Sequence, residues 1–201
     1  MPDRPTLDPR STALLVLDYQ AGIVAQLPGA GALLERVTAA IDDTRAHDAH
    51  VGWVRVAFTD ADFDAIPETS VFAGRTSAEQ RPALHADAPA TQVHERLDHR
   101  PGDIAVRKVR VGAFTTTDLD EQLHAQGITT IVLAGLSTSG AVLSTVREAM
   151  DRDYRIVILR DACADRDPDT HAFLNDKVFP AQAFVTTVEE LGGLWAEEIA
   201  R

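Results

Sequence analysis

Three places in this 201-residue sequence combine residue types that could move a proton or hold an anion. The first is Asp18, which closes the apolar run Ala13-Leu14-Leu15-Val16-Leu17. A carboxylate there belongs at the rim of a sheet, where it serves as an acid or base, or as a turn or N-cap residue. The second is Lys108, reached through Ile104-Ala105-Val106. Alternation points it away from Arg107 and Val109, into a strand where a lone ammonium is strongly disfavoured, so it requires a carboxylate partner. Asp18 is available for that role, and the two would then form an acid/base centre; a structural ion pair is the alternative. The third is the small-residue turn Gly135-Leu136-Ser137-Thr138-Ser139-Gly140-Ala141. Its glycines allow a tight bend, and amides at a helix start can meet a carbonyl oxyanion or a carboxylate, unless this is an ordinary strand-to-helix turn.

The hydrophobic period shows which elements carry these residues. Strands are expected at 13–17, 51–56, 103–106, 128–133, 154–159 and 183–185, mostly as continuous apolar runs of the kind covered on both faces. Helical spacing marks 31–47, through Leu33, Leu34, Val37, Ala40 and Ile41. It also marks 118–126, stopped by Gly127, then 139–152, 168–178 and a last helix from Val188. Residues 60–100, with Pro67, Pro82 and Pro89, show no firm period and read as a surface excursion. Strands alternating with helices predict an α/β fold: a mainly parallel sheet with helices on both faces and ligands at the carboxyl ends of the strands. By position, Gln20, Phe58 and Phe114, with Thr138 and Ser139 of the turn, are candidate substrate-binding residues, and Phe179 is a weaker one.

Composition narrows the partners. With 31 acids against 19 bases, a formal charge of −12 opposes a phosphate backbone, so no nucleic acid is expected. The first twelve residues, MPDRPTLDPRST, hold no apolar stretch that would make a signal peptide or anchor, so a cytoplasmic protein without membrane contact is expected, folded as one domain over 1–201. The single cysteine, Cys163, forms no internal disulfide and is expected to be a small core residue. There is no dinucleotide-binding glycine pattern after the first strand and no phosphate-loop motif, and no cofactor is expected.

The ordered set "LLVLDYQ" at 14–20, "PGDIAVRKVRVGAF" at 101–114, "GITTIVLAGLSTSGAVLSTVREA" at 127–149 and "VILRDACADRD" at 157–167 resembles the isochorismatase-like, or cysteine hydrolase, superfamily over nearly the whole chain. The resemblance implies a three-layer α/β/α, Rossmann-like sandwich around a six-stranded sheet. It also implies a small-molecule substrate, a homodimer or homotetramer, and Asp18 and Lys108 as the catalytic aspartate and lysine. It implies a cis peptide between Leu136 and Ser137, which would turn the Ser137 and Ala141 amides into an anion hole. The optional metal site of similar proteins follows the second strand; here Phe58-Thr59-Asp60-Ala61-Asp62 lacks its histidines, while His85, His94 and His99 fall in the irregular region, so no catalytic metal is expected.

The chain departs from the superfamily's G-x-x-T-x-x-C-V turn at one position: Ala141 stands where the cysteine nucleophile is expected. Three readings follow. The favoured one is a hydrolase that forms no covalent intermediate, in which Asp18 and Lys108 manage protons for vinyl-ether-type or related C–O hydrolysis. The others are a serine- or water-dependent amide hydrolase using Ser137, Thr138 or Ser139, and an inactive small-molecule-binding protein.

Overall fold

A computed structural model describes residues 4–196. Its six strands are β1 (Thr12–Leu17), β2 (His50–Val56), β3 (Ile104–Lys108), β4 (Thr130–Leu136), β5 (Arg155–Ala164) and β6 (Phe184–Thr186). They pair in parallel in the order β3-β2-β1-β4-β5-β6. The main helices are α1 (Ala30–Ala46), α2 (Leu119–Ala125), α3 (Leu143–Met150), α4 (Pro168–Phe173) and α5 (Val188–Leu191).

The alternation of β1 divides the core in two. Ala13, Leu15 and Leu17 join a cluster with Leu119 and Leu123 of α2 and Val146 and Ala149 of α3. Leu14 and Val16 join another, with Leu34, Val37, Ala40 and Ile41 of α1 and Leu191 of α5. These are the outer layers of an α/β/α sandwich, and burying each Leu or Ile contributes about 1.5–3 kcal/mol. The connection leaving β1 therefore runs over one face and that leaving β4 over the other. In a parallel sheet this switch opens a crevice at the carboxyl ends of the two central strands.

Some boundaries differ from expectation. β4 and β5 run on to Leu136 and Ala164, so Cys163 lies within a strand and pairs in register with Gly135, rather than after the strand. The stretches expected as single helices at 139–152 and 168–178 each contain a π turn, at Thr138–Val142 and Leu174–Val178. The last helix is a single turn, Val188–Leu191, followed by a 3-10 turn, Gly192–Leu194. The irregular excursion holds short turns at Asp60–Asp64, Val71–Arg75, Arg81–Leu84 and Pro89–Thr91. The first is secured by a capping box between Thr59 and Asp62. Among the described residues, no helix is long and apolar enough to cross a membrane.

Candidate active site

Asp18 leaves β1 in the left-handed backbone region, φ +58°, which aspartate enters more readily than most residues. Its N–H donates to Val54 O at 2.8 Å, and its own carbonyl accepts from Gln20 N at 2.7 Å. The sharp bend takes its carboxylate out of the strand's alternation and onto the sheet rim. Lys108 arrives from the edge strand, where Ile104, Val106 and Lys108 are the buried set. Its Nζ donates to Asp18 Oδ2 at 2.7 Å and to Val111 O at 2.7 Å. Both side chains are almost fully enclosed, 2% exposed for the lysine and 7% for the aspartate.

The second carboxylate oxygen, Asp18 Oδ1, is buried without a hydrogen-bond partner. Burial pushes the carboxyl up from the usual range, opposed by the charge and hydrogen bond of Lys108 and by the Val56 backbone. Such a group holds its proton to higher pH than a free aspartate and has one oxygen to offer.

Across the crevice, the Leu136–Ser137 peptide is cis, as the resemblance implies. Ser137 Oγ accepts from Gly140 N at 3.1 Å, Asp165 Oδ2 from Ser139 N at 2.7 Å, and Ser137 O from Val142 N at 3.1 Å. The glycines serve close approach rather than a left-handed backbone. A Cβ on Gly135 would stand 2.8 Å from Val142 Cγ2 and 2.9 Å from Leu17 Cβ, and one on Gly140 2.7 Å from Ser137 Oγ.

Asp18, Lys108, Ser137, Ser139, Gly140 and Ala141 line one cavity of about 660 Å³, together with Phe58. Four other sequence-based candidates do not line it. Gln20 is buried, its amide strapped to Val56 O, Val56 N and Thr91 O, so it braces the strand ends instead. Phe114 lies in the core, stacked on Tyr154 with ring centroids 5.7 Å apart. Thr138 is fully buried and turns inward, its Oγ1 hydrogen-bonded to His171 Nδ1 at 2.8 Å. Phe179, the weaker candidate, is also a core residue.

His171 was not among the residues the sequence singled out. It sits in α4 under the turn; burial, then the charge of Arg160, hold its imidazole below the usual range. Asn175, one turn on, donates to His171 O at 2.9 Å. The signal was a helical i, i+4 pair of polar residues, His171 and Asn175. Cys163 is buried in the core, and burial pushes its thiol up to about 12, so it is an inert side chain at neutral pH. Among the described residues, no group of three or more His, Cys, Asp or Glu is placed to hold a metal ion. A larger hollow, about 890 Å³, lies at the amino ends of β4 and β5, lined by Arg4, Thr130 and Arg155, and includes none of the candidate residues.

The family model for the isochorismatase domain matches residues 12–190. The chain is 35% identical over 185 residues to the isochorismatase family protein YwoC of Bacillus subtilis (strain 168), covering 92% of this chain and 94% of that one. It is 29% identical over 216 residues to the ureidoacrylate amidohydrolase RutB of Rhizobium rhizogenes, covering 96% and 84%. Its fold matches the solved structure of an isochorismatase family protein from Burkholderia thailandensis with a TM-score of 0.79 at 30% identity, covering 94% and 97%.

Proposed function

Because the chain belongs to the isochorismatase family of hydrolases, we propose that it hydrolyses a small molecule without a covalent enzyme intermediate, Asp18 carrying the proton and Lys108 holding Asp18 in place. The observation behind this reading is the unpartnered, buried Oδ1 of an aspartate whose proton affinity is raised, facing a cavity in which residue 141 is a methyl group. Burial raises the proton affinity of this carboxyl group, which suits it to exchanging a proton with a substrate. In vinyl-ether hydrolysis the Asp18 carboxyl protonates the carbon β to the ether oxygen, leaving an oxocarbenium ion. Water adds to the cationic carbon and returns one proton to the carboxylate. The resulting hemiacetal or hemiketal then breaks its C–O bond to give a carbonyl compound and an alcohol. Lys108, itself bound to Asp18 Oδ2 and Val111 O, fixes which oxygen turns toward the substrate. The amides of Ser137 and Ala141 are assigned as donors to a polar or anionic oxygen of the bound substrate, away from the carbon that becomes cationic.

A second reading, water-dependent amide hydrolysis, is favoured by the similarity to an enzyme named as an amidohydrolase. A hydroxyl nucleophile at Ser137 or Thr138 has little support: Ser137 Oγ accepts from Gly140 N, and Thr138 is enclosed against His171. The test is a panel of vinyl ethers, amides and N-carbamoyl compounds presented to the wild type and to Asp18→Asn. Vinyl-ether turnover that falls by about 10²–10⁴-fold in the variant supports the first reading. Turnover of amides alone transfers the assignment to the second, and binding without turnover of any class overturns both.

A further inference from the structure

In a chain of formal charge −12, the active-site cavity collects positive charge. Its charged lining residues are Lys108, Arg75, Arg110 and Arg166 against Asp18 and Asp165, which leaves two positive charges in excess. Lys108 is spent on Asp18, and Asp165 on the Ser139 N–H. Arg75, Arg110 and Arg166 form no ion pair among the described residues, so no protein carboxylate offsets their charge there. A cavity with uncompensated guanidinium groups and low-dielectric walls raises the local concentration of anions against the field of the whole molecule.

Arg110 is the best placed of the three. It stands two residues beyond Lys108 and next to Val111, whose carbonyl holds the Lys108 ammonium. Its guanidinium carbon lies 5.2 Å from the ring centroid of Phe72, and Nη1 donates to Val109 O at 2.7 Å. Stacking and that one hydrogen bond hold the head group still, and its other donors have no protein acceptor among the described residues. Arginine in this state matches the planar, two-oxygen geometry of a carboxylate. Phe58, Phe72 and Leu136 line the same cavity and suit a flat, apolar body attached to that carboxylate.

We propose that the substrate is a small organic carboxylate whose anionic group is bound by Arg110. This rests on the reading that the cavity is where substrate binds, and is independent of which bond is broken there. Benzoate and benzamide, alike in size and ring but not in charge, test it by isothermal titration. Wild-type protein is expected to bind benzoate at least tenfold more tightly than benzamide. Arg110→Gln is expected to lose that preference, with the melting temperature checked for intact fold, and Arg110→Lys to keep part of it. Equal affinity for the two probes in the wild type, or a preference that survives Arg110→Gln, overturns the proposal. Failure of the turnover panel alongside a retained benzoate preference would count against the chemistry alone.

Discussion

The turn between β4 and α3 has a cavity side and an interior side, and ionisable groups flank both. On the cavity side Asp18 faces Ser137, Ser139 and Ala141; on the interior side Thr138 meets His171, while Cys163 lies beside β4. Burial is the leading influence on all three titratable groups, and in each it favours the uncharged form: the carboxyl and thiol are pushed up, the imidazole down. Only Asp18 has a directly bonded counter-ion, Lys108, opposing that push, together with an open cavity. Desolvation by itself makes a group quiet. Desolvation balanced against a neighbouring charge, with space for a substrate, makes one that can exchange a proton.

The sharpest way to break this contrast is to put the same chemical group on both sides. Ala141→Cys places a thiol on the cavity side while Cys163 remains inside. A thiol held near 12 is about one part in 10⁴ thiolate at about pH 8, whereas an ordinary thiol there is roughly a quarter ionised. Iodoacetamide is therefore expected to label position 141 at least about 10³-fold faster than Cys163, read by mass spectrometry of the peptides. Labelling confined to Cys163 would mean that the turn does not face an accessible pocket.

A smaller effect, on stability, tests the opposition of charges. Asp18→Asn and Lys108→Met each leave a buried charge without its partner, and each is expected to cost about 3 kcal/mol in chemical denaturation. The double variant is expected to recover about 2 kcal/mol of the combined loss. Strictly additive losses would show that the two groups do not act as a pair.

The smallest effect lies on the interior side. Folding lowers the affinity of His171 for protons, so its contribution to stability is present above the unfolded imidazole range and is lost as pH falls through the lower folded value. Solvent screening keeps the loss under about 1 kcal/mol between about pH 7 and pH 5. His171→Gln is expected to flatten that part of the stability profile, and an unchanged profile would assign the acid sensitivity elsewhere.

The legible parts of the molecule were those with a strong period. Strands covered on both faces must be apolar throughout, so β1 and the start of β4 stand out, and the order of helices and strands follows from them. The far ends of β4 and β5 were hidden because Gly135, Arg160 and Asp161 do not read as strand interior. The π turn was invisible because inserting one residue leaves apolar spacing nearly intact over so short a stretch. Asp18 and Lys108 could be paired because a lysine inside a strand demands a partner. Gln20, Phe114 and Thr138 were misplaced for a different reason. Once a chain leaves a strand, alternation no longer says where a side chain points, and each of these found a satisfied interior position instead. Phe72 and Arg75 come from the excursion, whose weak period gave no register from which to project them toward the cavity.

The strand order has a consequence for how the protein is made. Within the sheet, β1, β2 and β3 form one contiguous triad and β4, β5 and β6 another, and the strand pairing that joins them runs from Thr12 and Thr130 to Leu17 and Gly135. Closing so long a loop adds only about 0.6 kcal/mol per doubling of length, but contacts this distant in sequence form slowly. Asp18 and Lys108 belong to the first triad and the turn to the second, so neither half holds a complete site. The wall of the cavity opposite Asp18 and Lys108 therefore exists only once β4 has been synthesised and has docked along β1.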